Sequence, residues 1–511
     1  MKRDTESKIK TLEELTVIVR EAKSKGRKVV HCHGVFDLLH PGHIRHFEAA
    51  KKKGDLLAVT ITKDEYVNKG PGRPIFDQQL RAESVAAIEC VDYVSINEWP
   101  TATETIKRLK PHVYVKGSDY VKRDTDVTRK IYDEERAVKS VGGVLDFTDE
   151  ISFSSTSLIN TFLSPYPEDA QQFLGKFKRR HDAREIVDSL KELSGVKVLV
   201  IGDIIIDEYL YCSGLGKSQK DNIIATKYLN EEIFAGGVLA AANHLAGFCK
   251  DVTLASCVGQ KNHYLNFINS HLKPSIKKEF WFRKDSPTVV KRRFVDPTFL
   301  IKLFELCYLD EVNQIADPVE KEICRYLNSR LKDFDMVLVT DFGHGLITPR
   351  LVEVLCRKSN FLAVNVQTNS ANLGFNLITK FPRADYVCID EPEIRLACHD
   401  RGGPLENLIL EISSKLKCGK TIITRGHQGS VTYSKKEGFS RIPVFSKEIV
   451  DRIGAGDAYI SVTSPCAFNR LPMETVGFIG NAVGAMKVLI IGNRSSVEPV
   501  PLFKYITALL K

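Results

Sequence analysis

The chain lacks the long apolar segments and the paired cysteines that mark several large classes of protein. No run of ~18 apolar residues occurs, which argues against a membrane-spanning helix and predicts no membrane partner. The first ten residues, MKRDTESKIK, contain no apolar stretch of the kind that a secretory signal needs. The twelve cysteines form no C-x-x-C pair and no zinc-like spacing, so we expect reduced, mostly buried thiols. These absences predict a cytoplasmic protein.

A basic tract interleaved with aromatic residues, the usual mark of a nucleic-acid-binding protein, is also missing. The formal net charge is +9, but Lys and Arg alternate with Asp and Glu along most of the chain. The densest basic cluster, Lys176–Arg184, falls in a predicted linker. We interpret the excess charge as a solvated surface with some positive charge near phosphate-handling sites, and we expect no nucleic-acid partner.

Size and patterning predict two sizeable cores. The 511 residues, 43% of them hydrophobic and 27% charged, exceed one ordinary globular domain. The segments Val29–Leu39 (VVHCHGVFDLL) and Val196–Tyr209 (VKVLVIGDIIIDEY) share an apolar β-branched run, a turn with Gly and Asp, and then a predicted helix. Each is typical of the first strand of an open α/β sheet, where ligands bind beyond the carboxyl ends of the strands.

Strands and helices alternate after each opening, which predicts an α/β fold with two domains, each a mostly parallel doubly wound sheet. The predicted strands are Leu56–Ile61, Tyr93–Ile96, His112–Lys116, Val337–Thr340, Leu362–Val366, Tyr386–Ile389 and Thr421–Thr424. The predicted helices are Ile44–Lys53, Gln79–Glu89 and a long tail that begins near Gly456. The two prolines of SPYPED forbid a regular element between the halves. We therefore predict domains at 1–162 and 196–511, with a linker and lead-in helix at 163–195.

The segment Gly34–His43, GVFDLLHPGH, has the features of a phosphate-binding helix start. His40 and His43 are three residues apart, so both imidazoles lie on one face of the first turn. Unpaired backbone N–H groups and the helix dipole favour an anion there, and Gly42 lets a phosphate approach the backbone. This pattern suits a nucleoside triphosphate that is attacked at its α-phosphorus, because imidazole and amide N–H groups can stabilise the developing charge.

The wider pattern resembles the cytidylyltransferase-like nucleotidyltransferase family over roughly residues 28–162. The H-x-G-H signature at residues 40–43 is followed, in the family's order, by KGPGRP, Arg81, KGSDY and FSSTSLI. The resemblance implies that His40 and His43 contact the triphosphate and stabilise the transition state. It implies that Lys116 neutralises phosphate, and that Arg81 does the same or holds the phosphorylated acceptor. The other phosphate- and nucleotide-binding residues that it implies are Gly34, Phe36, Gly42, Ser154, Ser155 and Thr156.

The second half contains the string Asp451–Asp457, DRIGAGD, at the start of the helical tail. The bare N–H groups of Gly454, Ala455 and Gly456 can hold an anion, and the Asp457 carboxylate can accept a proton from a hydroxyl group. The combination suits phosphoryl transfer from ATP to an alcohol. The string alone leaves open a plain turn with a capping aspartate.

From about Val196 to the C-terminus the chain resembles the ribokinase-like, PfkB-type sugar kinases. The matching strings are GDIIIDEY, FAGGVLAAANHLAG, DEPE, TIITRGHQGS, GAGD and the helix at 479–486. The resemblance implies that Asp457 is the catalytic base, next to an anion hole at residues 454–456. It implies sugar binding by Asp203, Asp207, Gly236 and Gly237, nucleotide binding by Thr424, Gly426 and Asn481, and Mg²⁺ held through water by Glu393 with Asp390.

Three positions depart from the pattern of the sugar kinases. Asp390 stands where relatives carry Asn, and Arg452 and Ile453 stand where relatives often carry small or hydroxyl residues. GAGD itself is intact, so we expect an active kinase. A degenerate kinase domain that serves as a scaffold is the alternative.

Together the halves resemble the bifunctional heptose kinase/nucleotidyltransferases of bacterial surface-polysaccharide synthesis, with DFGHG at 341–345 as a further match and with the domain order reversed. The resemblance implies ATP- and Mg²⁺-dependent phosphorylation of heptose 7-phosphate at its anomeric hydroxyl. It also implies transfer of a nucleotidyl group from ATP or CTP to heptose 1-phosphate, and a homodimer formed through the kinase domain. Two alternatives stay open: a polyol-phosphate cytidylyltransferase fused to a kinase for another sugar, and a non-catalytic nucleotide sensor.

Overall fold

The structure, a computed structural model, describes residues 5–117, 130–148, 166–261, 263–284, 286–309 and 314–511. The chain forms two compact units. Unit 1 comprises Met1–Tyr166 together with Phe503–Lys511, and unit 2 comprises Pro167–Leu502. Across these described ranges, no helix has the length and apolar character that crossing a membrane requires.

Unit 1 contains one five-stranded, all-parallel sheet in the order β3-β2-β1-β4-β5. Its strands are β1 Val29–Gly34, β2 Leu56–Thr62, β3 Tyr93–Asn97, β4 Val113–Lys116 and β5 Val144–Phe147. Its helices are α1 Leu12–Ser24, α2 Pro41–Lys51, α3 Gln78–Ala86, α4 Thr103–Leu109 and α5 Lys130–Ser140. The strand order reverses between β1 and β4, so a crevice opens at the carboxyl end of β1, where the segment GVFDLLHPGH begins.

The elements of unit 1 follow from local sequence signals. Thr11 and Glu14 form a reciprocal capping box that starts α1, and the helix then buries Leu12, Leu15 and Val19 against the sheet. All seven residues of β2 are buried. A continuous apolar run of this kind is expected of a parallel strand that is covered on both faces.

Unit 2 contains a nine-stranded sheet in the order β10-β9-β6-β13-β14-β15-β16-β17-β18, which is parallel from β10 to β16 and antiparallel at its β17–β18 edge. These strands are β6 Lys197–Gly202, β9 Asp251–Gly259, β10 Lys277–Arg283, β13 Met336–Asp341, β14 Leu362–Val366, β15 Tyr386–Asp390, β16 Lys420–Thr424, β17 Ser430–Ser434 and β18 Gly438–Ile442. The helices are α6 Glu168–Phe177, α7 Ala183–Glu192, α8 Val238–Phe248, α9 Leu265–His271, α10 Asp317–Arg330, α11 Pro349–Lys358, α12 Glu391–Cys398, α13 Leu405–Lys415, α14 Ala455–Phe468, α15 Met473–Lys487 and α16 Pro499–Leu509. The prediction of two mostly parallel α/β sheets is confirmed.

A second, four-stranded sheet in unit 2 corrects one detail of the sequence analysis. Its order is β12-β11-β7-β8, with β7 Ile204–Lys217, β8 Ile224–Gly237, β11 Val289–Asp296 and β12 Ile301–Tyr308. The predicted helix after the second opening was therefore wrong, because residues 204–217 form a long strand. Three successive isoleucines favour the strand, and β8 and β11 pair with it along its length.

The compact units differ from the predicted domain boundaries at two places. Residues 167–195 of the predicted linker and lead-in helix belong to unit 2, where Phe177 of α6 is fully buried and stacks on Phe478 with a ring separation of 4.6 Å. The last nine residues, which were assigned to the second domain, group with unit 1. Burial of Tyr505 and Ile506, both 0% exposed, accounts for this grouping.

Candidate active sites

The predicted histidine pair lies at the start of α2. His40 is the N-cap residue with an extended backbone (φ −143°), and Pro41 occupies the first helical position. The His40 and His43 rings stack with centroids 3.9 Å apart and planes 24° apart. The structure thus brings the two imidazoles together on one side of the helix start, beside Gly42 of the first turn.

Burial and neighbouring cations keep the histidine pair neutral. Burial first, and then the charges of His40, His46 and Lys69, together lower the pKa of His43 to about 3. Burial also lowers the pKa of His40. A neutral imidazole offers one N–H donor and one acceptor, and the buried Nδ1 of His43 has no hydrogen-bond partner among the described residues. The Nδ1 of His43 is therefore available to a ligand, while the His43 ring also forms a hydrogen bond with the Leu38 backbone.

Phe36 supports His43 from the loop between β1 and α2. Its ring meets the His43 ring edge-on at 5.3 Å, and its backbone lies in the left-handed region at φ +50°. A bulky residue in that region is strained, which is common where a loop must present a functional side chain. A Cβ at Gly34 would come within 2.9 Å of the Phe36 ring, so Gly34 is needed for this placement.

The structure revises the expectation for Arg81. Its guanidinium group donates to the backbone carbonyls of Phe76, Val35 and Thr62 and to the Asp64 carboxylate. The residue is 1% exposed. These bonds tie the start of α3 to the ends of β1 and β2, so Arg81 holds the loops of the site.

Lys116 is also engaged within the protein. Its ammonium group forms a buried ion pair of 2.9 Å with Glu134 and lies 5.3 Å from the centre of the Tyr114 ring. A phosphate at this position would have to share the Lys116 charge with Glu134. The predicted Ser154, Ser155 and Thr156 lie outside the described residues.

Sequence reasoning missed a set of polar residues on β1 and in the loop that carries Lys69. His31 and His33 of β1 both contact the Thr60 hydroxyl, at 2.8 and 2.9 Å, and burial lowers the pKa of each to about 3. Lys69 is partly buried, and desolvation together with the charge of Arg73 lowers its pKa to about 8. The VVHCHG string carries alternating histidines, but only the neighbouring strand shows that they share one hydroxyl.

In unit 2 the GAGD string forms the predicted helix start. Gly454 is the N-cap of α14 at φ +76°, and a Cβ there would lie 2.4 Å from Asn493 Oδ1. The space around a Cβ at Gly456 is empty within 4 Å. Asp457 follows in the first turn and is 8% exposed. The helix start therefore places the amides of Gly454 and Gly456 beside a carboxylate, whereas the Ala455 amide donates to the Arg452 carbonyl at 3.3 Å.

The electrostatic surroundings suit Asp457 to accept a proton near neutral pH. Burial and then the Asp207 carboxylate raise the pKa of Asp457 to about 7, against the opposing charges of Lys487 and Lys291. A carboxylate with a pKa close to the working pH is the best compromise between basicity and ionisation for a general base.

A network of buried hydrogen bonds fixes the turn that precedes α14. Asp451 accepts from the Tyr209 hydroxyl and from Lys302, both at 2.7 Å, and from the Gly492 amide at 2.8 Å. Lys487, fully buried, donates to the carbonyls of Ile453 and Gly492 at 2.7 and 2.6 Å. Ile453, which departs from the pattern of the sugar kinases, thus helps to fix the turn through its backbone carbonyl.

Asp207 and Asp203 differ in what surrounds them. Asp207 forms a buried ion pair of 2.5 Å with Arg293, and a Cβ at Gly236 would lie 2.0 Å from its Oδ2. Gly236 thus leaves room for this carboxylate, which acts electrostatically on Asp457. Gly237 has φ +56° and is the N-cap of α8.

Asp203 holds a loop, which revises its predicted role in sugar binding. Its Oδ2 accepts from the amides of Phe342 and His344, and its Oδ1 accepts from the amide of Leu346, all at 3.1–3.3 Å. These bonds fix the loop that follows β13, which contains DFGHG.

The candidate magnesium and nucleotide residues are placed by local hydrogen bonds. Asp390 and Glu393 form a reciprocal capping box at the start of α12, and the second oxygen of Glu393 accepts from the Thr368 amide. Thr424 ends β16 and Gly426 follows at φ +56°. The Asn481 amide donates to the carbonyls of Ile442 and Pro443 and accepts from Ser430, so this side chain supports the sheet edge instead of facing a ligand.

Comparison with known proteins identifies the family of each domain. Residues 196–499 match the family model of pfkB family carbohydrate kinases. The chain belongs to this family. Residues 31–161 match the cytidylyltransferase-like model, so the pfkB kinase domain follows a cytidylyltransferase-like domain. Both resemblances stated from the sequence are confirmed.

Individual relatives match part of the chain. "Bifunctional protein HldE" of Trichlorobacter lovleyi is 39% identical over 172 residues, which are 33% of this chain and 33% of that protein. The protein of the same name from Aliarcobacter butzleri is 43% identical over 144 residues, 28% of this chain and 30% of that protein. The matched region lies in the cytidylyltransferase-like domain, so the chain spans about a third of the length of these relatives. Phosphofructokinase-2 from Escherichia coli has a TM-score of 0.50 at 11% identity, covers 62% of this chain and 100% of that chain, and shows the shared fold alone.

The C-terminal segment, Phe503–Lys511, is part of the cytidylyltransferase-like domain. Gly70, in the loop that carries Lys69, has φ +94°, and a Cβ there would lie 2.0 Å from the Tyr505 ring. The pKa of Lys69 is lowered first by burial, and the cations Lys504 and Lys511 add to the effect. The end of the chain therefore packs on a loop whose lysine acts electrostatically on His43.

We expect Gly70→Ala to destabilise this domain and to lower its activity more than the activity of the kinase domain. The collision with Tyr505 adds ~1–3 kcal/mol of overpacking to the strain of a positive φ. Gly142→Ala is the matched control, because Gly142 has φ +77° but open space around its Cβ. Thermal unfolding of the two variants measures the difference. Equal stability of both would show that Tyr505 does not constrain the loop.

Proposed function

We propose that this protein is a bifunctional enzyme of activated-sugar synthesis. The kinase domain phosphorylates a sugar phosphate with ATP, and the cytidylyltransferase-like domain joins a nucleotidyl group to a sugar 1-phosphate and releases pyrophosphate. The observation that carries the proposal is the pair of helix starts, one with stacked neutral imidazoles and the other with a buried carboxylate of raised pKa.

In the transferase reaction, an oxygen of the sugar 1-phosphate bonds to the α-phosphorus of the nucleotide while the bond to pyrophosphate breaks. Negative charge grows on the non-bridging oxygens and on the leaving pyrophosphate. The N–H groups of His40 and His43 and the amides at the start of α2 donate to these oxygens. Because the imidazoles are neutral, they act as fixed dipoles and need not change their protonation state.

In the kinase reaction, the sugar hydroxyl oxygen bonds to the γ-phosphorus of ATP, and the bond to the β–γ bridging oxygen breaks with release of ADP. The hydroxyl proton passes to the Asp457 carboxylate. The amides of Gly454, Ala455 and Gly456 hold the transferring phosphoryl group. Asp207 accepts hydrogen bonds from the sugar and keeps it in line.

Magnesium fits this site as an ion held mainly by phosphates and water. The described residues contain no group of three His, Cys, Asp or Glu residues that could bind a metal on their own. The carboxylate oxygens of Glu393 and Asp390 accept hydrogen bonds from backbone amides. Burial, followed by the charge of Asp390, raises the pKa of Glu393 to about 8. Such carboxylates suit contacts through water. Bound magnesium would neutralise charge on the β- and γ-phosphates.

We propose heptose 7-phosphate as the sugar of the kinase reaction, heptose 1-phosphate as the acceptor of the transferase reaction, and ATP or CTP as the nucleotidyl donor. The support is the name of the relatives of the first domain together with a carbohydrate kinase domain in the same chain. Phosphorus NMR of heptose 7-phosphate with ATP and magnesium tests the first step, because a new anomeric phosphate resonance is expected.

Pyrophosphate release tests the second step. The protein is mixed with ATP or CTP and with a panel of sugar 1-phosphates and polyol phosphates. Release with heptose 1-phosphate is expected. Release only with a polyol phosphate and CTP would replace the proposal with a polyol-phosphate cytidylyltransferase. Tight nucleotide binding without turnover of any pair would indicate a sensor.

We also propose a homodimer formed through the kinase domain, located in the cytoplasm, where its twelve free thiols stay reduced. The four-stranded sheet exposes large apolar side chains on β8 and β12, among them Ile224 (79% exposed) and Phe304 (57% exposed). Sedimentation of wild type should show a dimer, and Phe304→Lys should dissociate it. Ile449→Lys, at an exposed residue outside that sheet, is the control and should leave the dimer intact. A monomer at all concentrations would contradict this assembly.

A further inference from the structure

A lysine with no role in the chemistry described so far lies behind the amide turn of the kinase site. Lys487 is the last residue of α15 and is 0% exposed. Its ammonium group donates to the backbone carbonyls of Ile453 and Gly492 at 2.7 and 2.6 Å. Removing an ammonium group from water is strongly unfavourable, and two carbonyl dipoles compensate only part of that loss. An apolar side chain of similar size would fill the same space without it.

A neighbouring lysine shows the more usual way in which a fold compensates a cation. Lys302 reaches the same turn, but its ammonium group forms an ion pair of 2.7 Å with Asp451 and its side chain is 30% exposed. Lys487 forms no ion pair with a carboxylate among the residues that the structure describes, and its bonds go to carbonyl oxygens. Backbone carbonyls are also the ligands that replace the hydration shell of a bound monovalent cation.

The bond to the Ile453 carbonyl sets the direction of the next amide. The peptide between Ile453 and Gly454 is trans, so its C=O and N–H groups point to opposite sides. Because Lys487 holds the carbonyl, the Gly454 N–H is turned away from the lysine. A Cβ at Gly454 would lie 3.3 Å from the Lys487 Cε, so the lysine stem packs directly against this turn. A charged donor on the carbonyl also polarises the peptide and makes its N–H a stronger donor.

The Asp451 carboxylate holds the opposite groups of the same two residues. It accepts from the amides of Ile453 and Gly492 at 3.1 and 2.8 Å, whereas the lysine donates to their carbonyls. The Asp451 amide in turn donates to the Val488 carbonyl, next to Lys487, at 2.9 Å. One carboxylate and one ammonium group thus hold the turn against the segment that follows α15. Removing the ammonium group would release the Ile453 carbonyl and leave its amide bound.

The ammonium group also offsets the negative charge around the reacting groups. Burial lowers the pKa of Lys487 to about 8, although the charges of Asp451, Asp457 and Asp207 all raise it. Lys487 in turn opposes the burial that raises the pKa of Asp457. Three carboxylates beside the amide turn would repel the phosphates of ATP, so a buried cation behind the turn favours their approach.

We propose that Lys487 is a positioning residue of the kinase and acts as a built-in monovalent cation. Its ammonium group fixes the direction of the Gly454 amide and offsets the carboxylate charge around the transferring phosphoryl group. The kinase therefore needs no monovalent cation from solution in addition to magnesium. This inference rests on the proposed kinase function and names the group that holds its amide turn.

Two variants separate the charge of Lys487 from the space that it fills. Lys487→Met keeps the length of the side chain without its charge, and Lys487→Ala leaves room for a small cation. Both should lower the kcat for phosphorylation of heptose 7-phosphate by about 10²–10³-fold, the usual loss for one oxyanion donor, with little change in KM. Phosphorus NMR measures these rates directly.

Added cations should then distinguish the two variants. Ammonium chloride should raise the kcat of Lys487→Ala by about 10- to 100-fold, the range for a hydrogen bond to a charged group. It should not rescue Lys487→Met, because the methionine side chain fills the site. Tetramethylammonium chloride at the same ionic strength should rescue neither variant, because this larger ion has no N–H donor. Wild type should have the same kcat in both salts.

Lys420→Ala is the matched control. Lys420 is half-buried and also donates to a backbone carbonyl, that of Ala467. It begins β16, however, and therefore lies at the amino end of a parallel strand, whereas ligands bind at the carboxyl end. Lys420→Ala should keep the kcat of wild type and should not respond to ammonium.

Thermal unfolding gives a readout that does not depend on turnover. Ammonium should raise the melting temperature of Lys487→Ala more than tetramethylammonium does, and this difference should be absent in wild type and in Lys420→Ala. A kcat of Lys487→Met close to that of wild type, or the same response of wild type and Lys487→Ala to ammonium, would overturn the positioning role. Absence of sugar phosphorylation in wild type would instead contradict the proposed kinase function, and the melting temperatures would still show whether ammonium binds in place of the lysine side chain.

Discussion

Replacing His43 with alanine is expected to lower nucleotidyl transfer by at least ~10²–10³-fold, the usual loss for one oxyanion donor. His43 stacks on His40, and its buried Nδ1 has no hydrogen-bond partner among the described residues, so the change removes a candidate donor together with the ring contact. ATP-dependent sugar phosphorylation should be unchanged, because the kinase residues belong to the other compact unit. Pyrophosphate release and ADP release measured on the same preparation give both rates.

The control for this variant is His112→Ala. His112 precedes β4, at the amino end of the sheet, and its Nδ1 accepts from the Val29 amide. A parallel sheet places its ligands at the opposite end, so His112→Ala should keep its transferase activity. If His43→Ala silenced both activities in a folded protein, the model of two separate sites would be wrong.

Replacing Asp457 with asparagine is expected to have the complementary result. Asparagine keeps the shape of the side chain but cannot take the hydroxyl proton, so sugar phosphorylation should fall by about 10²–10⁴-fold. Nucleotidyl transfer should persist. Asp188→Asn, an exposed aspartate of α7 in the same unit, is the matched control and should retain full kinase activity. A kinase rate preserved in Asp457→Asn would assign proton removal to another group.

The pH dependence of the kinase adds an independent readout for Asp457. Its raised pKa of about 7 means that the carboxyl is protonated, and unable to act as base, below that pH. The kcat/KM should therefore rise with pH through about 7 and level off above it. Kinase activity that is flat between acidic and alkaline pH would exclude Asp457 as the base.

The raised pKa of Asp457 also predicts that the stability of the fold falls as pH rises, whereas the kinase activity increases. A carboxyl whose pKa is higher in the folded than in the unfolded state loses stability as pH rises from the unfolded value to the folded value. Asparagine carries no such charge. Asp457→Asn should therefore melt at a higher temperature than wild type above pH ~7, and this advantage should disappear in acid. A lower melting temperature at alkaline pH would show that the carboxylate stabilises the fold.

The comparison between Asp203 and Asp207 shows where sequence reasoning reached its limit. Both are acidic residues of one short string and were given the same role. Asp207 faces Arg293 and Gly236, whereas Asp203 is enclosed by the amides of a loop that lies almost 140 residues further along the chain. A string carries no information about which distant backbone N–H groups will surround a carboxylate.

Arg81 illustrates the same limit in the other domain. An arginine between phosphate-binding motifs is a reasonable candidate for a phosphate ligand. In the folded chain its donors point to carbonyl groups at the ends of β1 and β2 and to Asp64. Arg81 therefore stabilises the loops.

The sequence by itself determined the fold class and the two helix starts, because these depend on local features: apolar periodicity, glycines that free the backbone, and residues one turn apart. Only the tertiary structure decided which charges are compensated. In the folded chain Arg293 pairs with Asp207, whereas Lys291 has no partner among the described residues. Residues 204–217 form a strand because β8 and β11 pair with them, and Tyr505 packs on Gly70. Charge compensation and strand pairing depend on contacts between residues far apart in sequence, and those contacts exist only after the chain has folded.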